Sequence, residues 1–170
     1  MSRLGEATFV WWWAVPIVAA VQALIGSLMT STSRLSVLHP RPLIMIVSYI
    51  VLWAVVFRNR HQRGMALVLA GVTLNLIAIA ANGGYMPISP QALARIGAGQ
   101  LAYQMPLGSV VMGSKDVVLQ PDEARFWMLG DNLVIPEPFP WPTAMSIGDA
   151  SLAVGVFYYI MHSMRPQIQS

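Results

Sequence analysis

Four apolar runs limit what this chain can fold into. They cover residues 9–30, 42–58, 65–82 and 145–164. A helix crosses the hydrocarbon of a bilayer with about 20 predominantly apolar residues, within a range of about 17–25, and each run fits. The third, MALVLAGVTLNLIAIAA, passes directly into Asn82-Gly83-Gly84-Tyr85-Met86-Pro87. Gly83 and Gly84 permit positive φ, so this reads as a membrane helix with a tight, glycine-built exit. Only 10% of the chain is charged and 56% is hydrophobic, whereas a soluble domain carries about 25% charged residues. Most of the chain must therefore face lipid or protein. The expected fold is an all-α membrane protein in one membrane domain, residues 1–170. It has four transmembrane helices and a structured outer segment, residues 87–142, between the third and fourth.

Loop charge sets the expected threading. Arg58-Asn59-Arg60-His61-Gln62-Arg63 holds three arginines and no acid, which places this loop in the cytoplasm. Both termini are then cytoplasmic, in a multi-pass protein of the bacterial inner membrane. Arg3 and Arg165 agree with that threading, while Arg34 and Arg41 run against it. The first run reads as an uncleaved span, because no small-x-small cleavage site precedes a polar mature start. Trp11, Trp12 and Trp13 read as an interfacial aromatic belt, and Pro16 is expected to kink the helix beyond them. The net charge of +3 is topological. No basic stripe with interleaved aromatics exists, so nucleic acid is not an expected partner. The absence of cysteine excludes disulfide and thiolate chemistry.

The outer segment is too long for a plain connection. Ser89 and Pro90 read as the N-cap and first residue of a short helix stopped by Gly97. Its apolar side, Leu93 and Ile96, would lie on the membrane surface. Residues 110–112 and 117–119 read as a small hairpin, and residues 121–129 as a second short helix. Gly130-Asp131-Asn132 reads as a turn. Prolines at 136, 138, 140 and 142 predict an extended, polyproline-like strip with Phe139 and Trp141 at headgroup level.

Asp149, in Ser146-Ile147-Gly148-Asp149, is the sharpest candidate for chemistry, because an ionisable group inside a span is a functional hypothesis by default. It lies only roughly 6 Å into the fourth run, at 1.5 Å per residue. A helix-capping role, bonding backbone N–H groups of its own turn, is therefore preferred. Asn75 and Asn82 are seven residues apart and share a helix face with Gly71 and Ala78. That face suits packing with interhelical hydrogen bonds, or else the wall of a polar site opposite Asp149. Ser151 and Gly155 give the fourth run its own close-packing surface. His162 has no second histidine at matching depth, so neither haem nor metal is expected. The Gly130-Asp131-Asn132 stretch resembles the box of type I signal peptidases, but the serine and arginine that should follow are missing. Lys115 is the one lysine. No catalytic residue and no cofactor is expected.

Asn82-Gly83-Gly84-Tyr85-Met86-Pro87, Leu129-Gly130-Asp131 and Ser146-Ile147-Gly148-Asp149 together resemble a family of small bacterial multipass membrane proteins of unknown function. The family's marks are Asn-Gly-Gly-x-Met-Pro, Leu-Gly-Asp before a proline-rich stretch, and Ser-x-Gly-Asp opening the last span. The similarity covers roughly residues 43–160. It implies a multipass topology and no established activity. The special positions are then Asn75, Asn82, Gly83, Gly84, Asp131 and Asp149. Asn82, Asp131 and Asp149 are expected to converge in one hydrogen-bonded cluster that pins the outer segment to the bundle. The expected function is an accessory or scaffold subunit of a larger membrane assembly, respiratory and photosynthetic complexes included, with membrane lipid and partner membrane subunits around it. The alternative is a lipid- or small-molecule-binding protein, or an enzyme, with an outer-leaflet polar site at Asn75, Asn82, Asp131 and Asp149. A scaffold buries those groups fully bonded; a binding protein leaves Asp149 open in a pocket.

Overall fold

The computed structural model describes residues 9–27, 39–136 and 138–164. Its helices are α1 (Ala14–Ser27), α2 (Pro40–Arg58), α3 (Met65–Ala81), α4 (Pro90–Leu93), α5 (Leu101–Gln104) and α6 (Ile147–Ser163). The strands among the described residues are β1 (Met86–Ile88), β2 (Asp116–Val118), β3 (Leu133–Ile135) and β4 (Thr143–Met145). The chain is thus mostly helical, and the all-α expectation is corrected by two small sheets whose strands lie between α3 and α6.

Three of the four long helices begin and end within two residues of the apolar runs that predict them. Each has a local reason to stop or start. His39 caps α2 by accepting from the Arg41 N–H at 3.4 Å, and prolines occupy its first turn. The end of α3 is a Schellman turn: the Gly84 N–H reaches the Ile79 carbonyl at 2.8 Å and the Gly83 N–H reaches Ala80 at 3.4 Å. Gly83 and Gly84 have φ of 75° and 93°, a conformation that costs an L side chain but not glycine.

The first run behaves differently. Trp11 to Trp13 form a turn, with Trp11 at φ 61°, and the helix starts only at Ala14. Pro16 is therefore in the first turn, where its missing N–H breaks no intrahelical bond, and the expected kink has no cause. Residues 28–30, along with Arg3, Arg34 and Arg165, lie outside the described residues. Among the described helices, α2 is long and apolar enough to cross a membrane, whereas α1 and α3 are shorter apolar helices.

The two best-matched helices are α3 and α6, which run antiparallel. A Cβ on Gly71 would collide with the Gly148 carbonyl, and one on Gly64 with the Gly155 carbonyl. Two glycine pairs, seven residues apart on each helix, therefore let the backbones touch. Ser151 adds a hydrogen bond to the Leu67 carbonyl at 2.8 Å. On the other side of α3, the Trp53 indole of α2 donates to Thr73 at 3.0 Å. A collision between a Gly84 Cβ and Pro42 shows how closely the α3 exit meets the start of α2.

The outer segment folds onto this frame and shares its core. Met45, Tyr49, Val72 and Ile79 of the helices pack in one buried cluster with Tyr85, Met86, Val117 and Leu119. β1 and β2 pair in parallel, Met86 opposite Asp116 and Ile88 opposite Val118. The expected hairpin at 110–119 is present as a bridge between Val110 and Val117. Ser89 caps α4 as expected, accepting from the Ala92 N–H at 3.1 Å. The apolar side of that helix is not laid on a membrane surface: Leu93 is buried against Ile88, Ala102 and Val118. The second expected short helix shrinks to a 3-10 turn at Trp127–Leu129, because Phe126 sits at φ 54° and breaks any helix across 121–129. The proline-rich strip is also corrected. β3 and β4 pair antiparallel on either side of it, and the Phe139 N–H donates to the Pro136 carbonyl at 3.2 Å, so the prolines form the loop of a hairpin.

Candidate functional site

The Ser-x-Gly-Asp stretch opens α6 directly beneath Asn75. Ser146 is the N-cap and accepts from the Asp149 N–H at 2.8 Å. The Asp149 carboxylate returns the bond, accepting from the Ser146 N–H at 3.1 Å through Oδ2. This reciprocal capping box satisfies two of the N–H groups that every helix start leaves open. Asn75 then closes a ring across the seam. Its Nδ2 donates to Asp149 Oδ1 at 2.6 Å, and its Oδ1 accepts from Ser146 Oγ at 2.7 Å. Gly148 is needed because a Cβ there would strike the Asn75 amide oxygen. Asn75 and Ser146 are completely buried. Asp149 is half-buried, with both carboxylate oxygens engaged. Asn75 lies seven residues before Asn82, so the node sits about 10 Å below the end of α3, at 1.5 Å per residue.

Asn82 does a different job at the α3 exit. Its Nδ2 donates to the Ala78 carbonyl at 2.7 Å and to the Arg125 carbonyl at 2.9 Å, while its Oδ1 accepts from the Arg125 N–H at 3.0 Å. One side-chain amide thus reads both backbone groups of a residue 43 positions away.

Asp131 belongs to a third node. Its backbone N–H donates to the Pro87 carbonyl at 2.9 Å, and Gly130 is required there because a Cβ would strike that same carbonyl. Asp131 Oδ2 pairs with Lys115 Nζ at 3.2 Å, and Lys115 also approaches Asp116 Oδ1 at 3.5 Å. Burial alone would lower the Lys115 pKa, but the Asp116 and Asp131 carboxylates beside it prevail and raise it, so the ammonium stays charged. Two carboxylates share this one cation. Burial pushes Asp131 up to about 7, with Lys115 opposing the shift and Asp116 adding to it. Asp131 is only 3% exposed, and its Oδ1 has no hydrogen-bond partner. The node has room in its chemistry for one more donor.

The expected single cluster is therefore corrected. Asp149 joins Asn75, Asn82 joins the Arg125 backbone, and Asp131 joins Lys115, and among the described residues no hydrogen bond links one node to another. The reason lies in helix register: Asn75 and Asn82 share a face, but two turns of α3 separate them. Lys115 and Asn59 were not singled out by sequence. Asn59 is 3% exposed. It caps α2 and reads the Val10 backbone as Asn82 reads Arg125, at 2.9 Å to both N–H and carbonyl. An asparagine directly after an apolar helix was the available signal, and it occurs at both places.

Among the described residues no group of three histidine, cysteine or acidic side chains is placed to hold a metal ion. His162 stacks on the ring of Tyr158, with centroids 6.5 Å apart. No curated protein and no solved structure shows a match to the chain. A family model described as a family of unknown function (DUF5317) matches residues 6–161, which takes in the first helix as well as every node above, and the chain belongs to that family.

Proposed function

We propose that this protein is a four-span integral membrane protein serving as an accessory or scaffold subunit of a larger membrane assembly. The observation that carries the reading is the pairing of apolar outer faces with bonded inner polar groups. Ile17 and Leu24 of α1, Ile50 of α2, Leu67 of α3, and Val154 and Phe157 of α6 are all exposed. No charged residue occurs in α1 or α3. Water penalises such faces, whereas lipid or partner helices do not. At about 1.5 Å per residue α1 and α3 reach about 21 Å and 26 Å, short of a hydrocarbon core of about 30 Å. Tilted packing, local bilayer thinning or neighbouring subunits would accommodate them. The arginine-rich loop at 58–63 favours a cytoplasmic position for that end, with both termini on the same side of the inner membrane.

The scaffold reading is preferred because Asn75, Asn82 and Asp149 spend their hydrogen bonds on the fold itself. Purification from native membranes in mild detergent, followed by intact-complex mass spectrometry, tests it. Stoichiometric co-purifying subunits are expected; a monomer at every detergent concentration would overturn it. The unpartnered Asp131 oxygen favours the second reading, a lipid- or small-molecule-binding protein. A bound molecule released on denaturation of the wild type, and missing from Asp131→Asn, would move the assignment there.

A further inference from the structure

Trp11 and Phe126 are the non-glycine residues with left-handed backbone among the described residues, at φ 61° and 54°. That conformation costs an L-residue about 1–2 kcal/mol and persists only where the surroundings over-determine it. The surroundings of the two are the same. Each follows a residue whose N–H and carbonyl are both held by one asparagine amide: Val10 by Asn59, and Arg125 by Asn82. Each asparagine caps a helix and also donates to the carbonyl four residues earlier, Val55 or Ala78, at 2.7 Å in both cases. Each left-handed residue then accepts a hydrogen bond from three residues ahead: Ala14 N–H to Trp11 at 2.9 Å, and Leu129 N–H to Phe126 at 2.8 Å. One five-residue device thus occurs twice, at 10–14 and at 125–129, in segments with no repeat in sequence.

Both copies turn large apolar side chains outward. Trp11, Trp12, Trp13, Phe126, Trp127 and Met128 are exposed by between 45% and 67%. Asn59 ends α2 and Asn82 ends α3, neighbours joined by a tight loop, so the copies sit at opposite ends of the bundle. The length of α3, 17 residues, puts them about 25 Å apart at 1.5 Å per residue. A bilayer core is about 30 Å thick, with tryptophan enriched at both of its faces.

We propose that the two asparagine locks are paired lipid-interface anchors, each holding an aromatic ledge at the boundary between phospholipid acyl chains and headgroups. The outer lock would thereby seat the whole outer segment flat against the outer leaflet. A protein partner on Phe126–Met128 would not call for a matching ledge at the other end, at bilayer spacing. The proposal rests on the membrane reading above, and its test separates the two.

The chain has no cysteine, so single nitroxide labels can be placed without removing any residue first. Met128→Cys and Trp12→Cys probe the ledges, Ile50→Cys the outward face of α2, and Arg95→Cys an exposed charged position of the outer segment. Labelled protein in phospholipid nanodiscs is compared for relaxation by oxygen and by a water-soluble nickel chelate. The expected oxygen-to-nickel ratio is highest at Ile50, several-fold lower but still above Arg95 at Met128 and Trp12, and lowest at Arg95. A nickel-accessible Ile50 would sink the membrane reading and this proposal with it. A lipid-facing Ile50 with Met128 matching Arg95 would overturn the anchors alone, as would a Met128 label shielded from both reagents. Adding Asn82→Ala to Met128→Cys should raise nickel access and label mobility there while Ile50 stays unchanged. An unaltered Met128 depth would show that the lock does not seat the ledge. Should that variant fail to fold, the four-position comparison decides by itself.

Discussion

The contact between α3 and α6 and the contact between α1 and α2 join helices of similar apolar composition in very different ways. The first is built on backbone proximity, with two glycine pairs, a buried asparagine and a capping box meeting across it. Between the bodies of the second pair, among the described residues, one polar link is present, Gln22 Nε2 to Ser48 Oγ at 3.0 Å, beside a modest apolar stripe of Val18 and Ile25, with Asn59 holding Val10 only at the end of the pair. Ser48 turns back to its own helix, donating to the Met45 carbonyl at 2.7 Å. The comparison separates adhesion from specification. Apolar side chains can slide past one another with little penalty, but a glycine facing a carbonyl and an asparagine facing a serine accept a single register.

The largest effect should come from the glycine pairs. Gly71→Leu drives a side chain into the Gly148 backbone, which cannot retreat without breaking the capping box; a loss of about 4 kcal/mol or more is expected. Size-exclusion profile and circular dichroism after extraction check it, and a normally folded variant would disprove the close approach. Asn75→Ala should cost less, about 2–3 kcal/mol, since Ser146 Oγ and Asp149 Oδ1 would both lose a partner. A double-mutant cycle with Ser146→Ala measures the coupling, and additive losses would deny that the ring acts as a unit.

The third test concerns the outer segment above the seam. The folded pKa of Asp131, about 7, lies above its ordinary value near 3.9. The folded state therefore holds a proton that the unfolded chain has released, and stability should fall as pH rises from about 4 through about 7. Lys115 stays charged throughout that window. Thermal midpoints across it should slope downward in the wild type and flatten in Asp131→Asn; equal slopes would rule out a raised carboxyl. The smallest effect is expected at the loose contact. Gln22→Ala should change stability by only about 0.5 kcal/mol, and a loss as large as that of Asn75→Ala would erase the distinction between the two contacts.

Most of the frame was legible because its signals are local. The bounds of α2, α3 and α6 follow apolar runs, the Ser89 cap follows residue chemistry, and the Gly83-Gly84 exit follows backbone freedom. The misplaced start of α1 has a distant cause. Trp11-Trp12-Trp13 reads as the apolar beginning of a helix, but Asn59 holds Val10 from 49 residues away and forces the left-handed residue that delays it. Phe126 ends the second short helix for the same reason, through Asn82. The parallel pairing of β1 with β2 could not be read from strands of three residues separated by about half of the outer segment. For the site, Asp149 was legible as a cap because the capping-box spacing is local. Asn75 was legible only as one wall of a polar site opposite Asp149, an alternative to plain helix packing, and Lys115 was not read as the mate of Asp131 because nothing in the spacing links them.

The Asn75 ring also has a consequence for how the protein is made. Ser146 and Asp149 follow Asn75 by 71 and 74 residues. At about 5–20 residues per second of synthesis, Asn75 waits roughly 4–15 s for its mates. If α3 enters the bilayer on emerging, its amide spends that interval in an apolar medium, where an unpaired group of this kind costs about 2–7 kcal/mol. Biogenesis then has a vulnerable interval, in which the half-made chain must be kept at the insertion machinery or shielded by a neighbour. Arrival of α6 ends it, and a chain released before that point carries a polar helix free to pair with the wrong protein.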